Sequence, residues 1–504
     1  MDRIIVLDFG GQYCHLISRR IRDLGVYCEV LPYKTTKEEL IKRGDLKGLI
    51  LSGGAASVYD SGAPICDKNI LQIRVPILGI CYGHQLIAYL SKGNVVPGEY
   101  GEYGTTSLKI EAGSKLLEGL NSNEKVWMNH RDIVKELPED YLVTASTKSA
   151  PIAAFQYKGT YGVQFHPEVN HTPKGKKILK NFVFDICQAK KQWGSSGVIK
   201  TISTEIKNTI GNQKALIALS GGIDSSTAAV LVDKVIGKNL IAVYVNTGLM
   251  RFREKEFIER TFQNLNLRII DAQKRFFKAL EGVTEPEEKR KIIGRLFVKI
   301  FEEVAEKEKA KILVQGTIYS DRIESGITQH SSKIKSHHNV GGLPENINLE
   351  IYEPLRELYK DEVRRIAKQL DLPMAIIGRH VFPGPGMAVR VIGEITPEKV
   401  EVVRHASNII EEELIGVGLY KKVWMAFAVL LPIKSVGIQG DARSYKYPIV
   451  VRVIESKDAM TANFAKIPYK VLEKISTRIT NEISAVNRVV YDISNKPPST
   501  MEWE

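Results

Sequence analysis

The chain has 504 residues, 43% of them hydrophobic and 26% charged, with a formal net charge of +13. That length implies about three domains, and the composition is that of ordinary globular protein, which excludes disordered and fibrous classes. Five cysteines, an odd count with no CxxC spacing, argue against both a cysteine zinc site and a disulfide framework. In chain order, residues 1–190 alternate short apolar strands (3–9, 48–53, 75–80, 162–168) with helices (15–24, 83–90). Such alternation predicts an α/β domain with a largely parallel sheet. The small, polar, aperiodic segment 190–200 predicts a linker. A second alternation follows, with strands at 214–220, 240–246, 268–272 and 311–317 and a helix at 224–235, so a second doubly wound unit is expected. Residues 320–348 turn polar and suit a lid. Beyond FPGPG at 382–386, strands at 450–456 and 487–494 and an amphipathic helix at 469–484 predict a small α+β domain. The expected domains are 1–190, 196–385 and 386–504.

The apolar stretch at 4–7 is too short for a signal-peptide core. The longest clean apolar run, 423–433, falls well short of the ~20 residues a membrane span needs. A soluble, cytoplasmic protein with no membrane partner is expected. The positive charge invites a nucleic-acid reading, but it is spread out. Residues 1–190 carry 24 basic and 20 acidic side chains, and the remainder 47 and 38. Basic runs such as KGKK (174–177) and EEKRK (287–291) lie on helical stretches and read as solvated faces. No basic stripe interleaved with aromatics occurs, so nucleic acid is not an expected partner.

Residues 79–83, Gly-Ile-Cys-Tyr-Gly, fall between a strand and a helix. This is a nucleophile elbow with cysteine at its tip. The helix N-terminus offers backbone N–H groups and the positive dipole end to a thiolate. A thiol nucleophile needs a base and the base an orienter. His166-Pro167-Glu168 supplies both, since residues two apart on an extended chain point the same way. Cys81, His166 and Glu168 are the candidate triad. Ser52-Gly53-Gly54 ends another strand and can lend an oxyanion amide through Gly53. Alone, Cys81 would read as one more core cysteine, like Cys14, Cys28, Cys66 and Cys187; the elbow with its histidine and glutamate reverses that. His84, His130 and His171 have no such frame and are expected to be structural.

Residues 220–226 read Ser-Gly-Gly-Ile-Asp-Ser-Ser, again between strand and helix. Small residues let the backbone approach a phosphate, and Ser225 and Ser226 add hydroxyls. No GxxxxGK[ST] occurs, so a Walker site is excluded and cleavage between α- and β-phosphates fits better than γ-transfer. Asp224 either binds Mg²⁺ carried with the triphosphate or caps the helix. Lys333, Lys335, His337 and His338 bring cations to the candidate lid.

These motifs resemble the glutamine-hydrolysing GMP synthases over essentially the whole chain. GICYGHQ (79–85), SGGAAS (52–57) and FHPE (165–168) resemble a class I glutamine amidotransferase. SGGIDSS, NTGLMR (246–251) and QGTIYSDRIES (315–325) resemble an N-type ATP pyrophosphatase. KSHHNVGGLP (335–344), RHVFPGPGMAVRVIGE (379–394), IQGDARSY (438–445) and NRVVYDISNKPPSTMEWE (487–504) resemble GMP synthase itself. The resemblance implies glutamine hydrolysis through a thioester on Cys81. It also implies activation of xanthosine monophosphate (XMP) by ATP as an adenylate, and displacement of AMP by ammonia. It assigns oxyanion amides to Tyr82 and Gly54, glutamine binding to Gln85 and pyrophosphate binding to Ser220, Gly221, Gly222, Ile223, Asp224, Ser225 and Ser226. Arg251, Asp441, Lys496 and Glu502 are implied to contact XMP, and the C-terminal domain to form a homodimer. Asn246, Ser320, Val381 and Ser499 depart from the residues expected there. An RNA thiolase shares the second fold, but such enzymes pass sulfur through cysteines and residues 188–504 hold none. A glutamine-dependent NAD synthetase shares it too, with a different glutaminase.

Overall fold

The computed structural model describes residues 1–319, 321, 349–456 and 461–504. Lys333, Lys335, His337 and His338, with Ser320, lie outside the described residues. The chain forms two compact units, Met1–Val198 and Ile199–Glu504.

In the first unit a nine-stranded sheet begins with five parallel strands, in spatial order Tyr27–Pro32, Arg3–Asp8, Leu46–Leu51, Ile77–Ile80 and Thr160–Val163. Strand Arg3–Asp8 shows why these segments are unbroken apolar runs. Ile4 and Val6 enter one core, Ile5 and Leu7 the other, because successive side chains face opposite sides of a sheet covered on both. Helix Cys14–Asp23 closes one side, burying Cys14, Ile17 and Ile21. The sheet continues antiparallel through Ala154–Tyr157, Leu142–Ser146, Asn94–Ile110 and Asn123–Glu136. The last two form a long hairpin that the strand-helix alternation does not predict.

The predicted linker at 190–200 is only partly irregular. Helix Ser195–Thr209 starts inside it, burying Val198, Ile202 and Ile206 at every fourth position.

In the second unit a five-stranded parallel sheet runs Leu267–Asp271, Leu240–Asn246, Ala215–Ala218, Ile312–Val314, Glu350–Tyr352. The chain leaves Ala215–Ala218 to one side and returns on the other, so the ends of Ala215–Ala218 and Ile312–Val314 form the switch-point crevice where such sheets bind ligands. A third sheet centres on Ala442–Glu455, flanked by Met425–Leu430, Ser435–Gln439, Asn463–Phe464 and Val486–Tyr491. One core runs from Leu216 and Ile241 through Val400 and Ile410 to Val451 and Ile475. Residues beyond 385 therefore pack into the same interior as the parallel sheet.

Lys289, in the EEKRK run expected to be a solvated face, is fully buried. Among the described residues no helix is long and apolar enough to cross a membrane.

Candidate active site

Strand Ile77–Ile80 ends directly before Cys81, which N-caps helix Tyr82–Leu90 at φ 54° and ψ −106°. A left-handed non-glycine residue costs about 1–3 kcal/mol and marks functional turns. The turn is held by Cys81 N–H to Val163 O at 2.9 Å and Gln85 N–H to Cys81 O at 3.1 Å. The sulfur lies 3.7 Å from Asn129 O and 3.7 Å from Gln164 Nε2.

His166 and Glu168 come together, but not along a strand as expected. The strand ends at Val163, and Pro167 and Glu168 form a turn. Within it His166 Nδ1 meets Glu168 Oε1 at 2.7 Å, both side chains being buried. His166 N–H donates to Trp127 O at 3.0 Å. Thr172 Oγ1 donates to His166 O at 2.7 Å and Arg20 Nε to Glu168 O at 2.9 Å. Burial by itself would lower the histidine's pKa. The Glu168 carboxylate and the neighbouring Cys81 sulfur override it and hold the imidazole well above its ordinary 6.5. Nε2 is buried with no nitrogen or oxygen partner among the described residues, which leaves it to the sulfur and to substrate.

Gly53 lies behind both groups. A Cβ there would fall 3.3 Å from His166 Cε1 and 3.8 Å from Cys81 Cβ. Gly54 rests against Tyr82, since its Cβ would come 3.2 Å from Tyr82 Cγ. Among the described residues the amides of Gly54 and Tyr82 have no acceptor. Two free amides beside a nucleophile are the elements of an oxyanion hole. Gln85 Nε2 donates to Asp132 O at 2.8 Å and Gln164 Oε1 at 3.2 Å. Gln164 thereby joins Gln85 to the sulfur. Sequence reasoning missed it, although it stands two before His166, the same spacing that picked out Glu168. His84 is structural as expected: buried against Phe155, bonded to Ile152 O at 3.1 Å, and pushed down to about 3 by burial.

In the second unit Ser220, Gly221 and Gly222 lead into helix Ile223–Ile236. Gly221 has φ +74°, and a Cβ on it would strike the Glu254 carboxylate and lie 3.0 Å from Arg379 Nη1. The serine hydroxyls order the loop: Ser220 Oγ and Ser225 Oγ are 3.0 Å apart, and Ser225 Oγ donates to Gly222 O at 3.2 Å. Gly316, two residues past strand Ile312–Val314 across the switch point, approaches so closely that a Cβ would lie 2.9 Å from Ser225 N. Ile223 and Ser226 are buried, and the Ser226 hydroxyl is unpartnered. Asp224 does not cap the helix; Gly222 occupies that position without a side-chain bond. Asp224 instead pairs with Lys360 through Oδ2, while Oδ1 is buried and unpartnered. Among the described residues no group of three or more His, Cys, Asp or Glu could hold a metal.

Two of the four XMP candidates share one neighbourhood. Arg251 donates to His380 O at 2.7 Å and lies 4.6 Å from the Phe382 ring centroid. Arg390 lies 5.0 Å from the same ring and grips Glu502 through two bonds, 2.9 and 3.0 Å. Arg379, missed in the sequence, clamps Glu254 at 2.6 and 2.8 Å and reaches Gly221 O at 3.3 Å. Asp441 sits at φ +60° in the turn between Ser435–Gln439 and Ala442–Glu455. Lys496 exchanges backbone bonds with Ala462 at 2.8 and 3.0 Å. No described contact brings these two to the Arg251 cluster.

Family models match along the chain: glutamine amidotransferase class-I over residues 5–186, thiamine biosynthesis protein (ThiI) over 210–377, and GMP synthase C terminal domain over 412–503. The chain is 51% identical to the GMP synthase (glutamine-hydrolyzing) of Caldanaerobacter subterraneus subsp. tengcongensis, covering 100% of this chain and 99% of the relative. It is 52% identical to that of Caldicellulosiruptor saccharolyticus, covering 99% of each. It is also 52% identical to that of Carboxydothermus hydrogenoformans, covering 100% of each. With such identity over the full length of each relative, the chain belongs to the glutamine-hydrolysing GMP synthase family.

Proposed function

We propose that this chain makes GMP from XMP, with ATP as activator and glutamine as nitrogen donor. The observation that carries the reading is the buried Cys81, His166 and Glu168 constellation at a helix N-terminus, in a chain whose second unit has a small-residue loop at a sheet switch point. Cys81 Sγ attacks the side-chain carbonyl of glutamine, and the amides of Gly54 and Tyr82 receive the oxyanion. His166 gives its proton to the departing ammonia and then takes one from the water that hydrolyses the thioester to glutamate. Glu168 keeps the imidazole oriented throughout. Gln85 and Gln164 shape the wall beside the sulfur.

In the second unit the C2 oxygen of XMP attacks the α-phosphorus of ATP, releasing pyrophosphate into the Ser220–Ser226 loop. Ammonia then displaces AMP from C2. The loop's amides and helix N-terminus suit the leaving pyrophosphate. Mg²⁺ carried with ATP would neutralise phosphate charge there, and the unpartnered Oδ1 of Asp224 fits such a hard cation, which needs only one or two carboxylates besides phosphate. Arg251, Asp441, Lys496 and Glu502 contact XMP, and Lys333, Lys335, His337 and His338 close over the phosphates. A cytoplasmic homodimer joined through residues 386–504 completes the reading, supported by family membership.

Purified protein with Mg-ATP, XMP and glutamine is expected to yield GMP, AMP and pyrophosphate. ADP as product, or no GMP, would overturn the assignment. Cys81→Ala is expected to abolish glutamine-driven synthesis and keep synthesis from ammonium; loss of both in a folded variant would sink the two-site reading.

A further inference from the structure

A fully buried lysine needs partners, because an unpaired interior ammonium is strongly unfavourable. Lys289, in the first turn of helix Pro286–Glu308, has 0% exposure. Its three donors find three acceptors: Val391 O at 2.9 Å, Ala388 O at 3.4 Å and the Glu504 carboxylate. Burial lowers its pKa while Glu504 opposes that shift. Glu504 also accepts from Gly393 N–H at 3.3 Å.

These contacts surround a second cation. Ala388 and Val391 flank Arg390, and Glu504 stands two residues from Glu502, the partner of Arg390. Lys289 therefore fixes both sides of the Arg390–Glu502 pair. Through Phe382 that pair adjoins Arg251. Segment 492–504 has no helix or strand of its own. Cations outside it hold it at several points, since buried Arg452 also donates to Ser499 Oγ, Thr500 O, Met501 O and Ser494 O at 2.7–3.2 Å.

We propose that Lys289 is a positioning residue for nucleotide recognition: by clasping Glu504 and the 388–391 backbone it sets the segment that carries Lys496 and Glu502 against Arg390. This rests on the reading that Arg251, Lys496 and Glu502 contact XMP.

The test uses full-length enzyme driven by ammonium, with KM measured separately for XMP and ATP. Lys289→Met removes the clasp at nearly constant volume. It is expected to raise KM for XMP about tenfold while KM for ATP moves less than about twofold. Glu504→Gln removes the carboxylate charge from the same contact at nearly constant volume, and is expected to shift KM for XMP in the same direction. The double variant should be no worse than Lys289→Met, because both remove one interaction. Should Lys289→Met fail to fold, Glu504→Gln decides alone. Unchanged KM for XMP, equal rises for XMP and ATP, or additive effects would overturn the proposal. Failure of the wild type to make GMP would instead strike the underlying reading.

Discussion

His166 sits where two large effects oppose each other: burial disfavours its charge, and Glu168 at 2.7 Å favours it. The carboxylate wins, so the folded state holds the imidazole proton more tightly than the unfolded chain does. The resulting stabilisation is complete below the unfolded value of ~6.5 and fades as pH rises through the raised folded value. Glu168→Gln removes the largest of the raising effects and leaves burial opposed by the Cys81 sulfur alone. The Tm deficit of that variant is therefore expected to be larger at about pH 6 than at about pH 9, as thermal scans across that range would register; a deficit independent of pH would contradict the charge assignment. Gln164 makes a second residue-scale case. Its amide lies 3.7 Å from the sulfur and also receives Gln85. Gln164→Leu keeps the bulk and deletes both bonds. Glutamine-driven turnover should fall roughly 10- to 100-fold, an amount typical of losing a hydrogen bond at a reacting atom, with ammonium-driven turnover unchanged. Equal loss in both assays would point to misfolding instead. Cys81, His166 and Glu168 were legible because chemistry demands those residue types together. Gln164 was not, since a glutamine just past a strand end carries no such demand until its neighbour is seen to be the sulfur.

At the scale of elements, the elbow depends on two close approaches that leave no room for a side chain. A Cβ on Gly79 would run into the Gly83 backbone, and one on Gly83 into Leu51, whose carbonyl carbon would be only 2.7 Å away. Backbone cannot yield there as a flexible side chain would. Gly83→Ala is expected to displace the elbow and cut glutamine-driven synthesis at least 100-fold, leaving ammonium-driven synthesis near wild type; an active glutaminase in that variant would show the turn more tolerant than its contacts imply. The parallel strands were readable because both faces are buried, so each is an uninterrupted apolar run. The hairpin of Asn94–Ile110 and Asn123–Glu136 was not, because only scattered residues such as Val95, Leu108, Val126, Met128 and Val134 are buried along it. Helix Ser195–Thr209 escaped for another reason. Its buried positions, Val198, Ile202 and Ile206, recur every four residues, and the window 190–200 contains only the first. Lys289 was misread because pattern alone cannot tell a solvated cation from one buried among carbonyls.

At the scale of the whole molecule, part of the positive charge lies inside the fold. In the second unit three buried cations, Lys289, Arg390 and Arg452, are spent on segment 492–504. Among the described residues, two core clusters draw on residues from Ile4 to Ala189 and two on residues from Leu216 to Val486. A cooperative transition reflects one shared interior, so two calorimetric transitions are expected. Each should answer to its own ligand. Alkylation of Cys81 by a diazo-ketone analogue of glutamine should move only the transition of Met1–Val198. XMP at about 100 times Kd should add ~2.7 kcal/mol to the other alone, a rise of about 4 °C for a unit of this size. A single transition moving as a whole under either ligand would mean that the two interiors unfold as one.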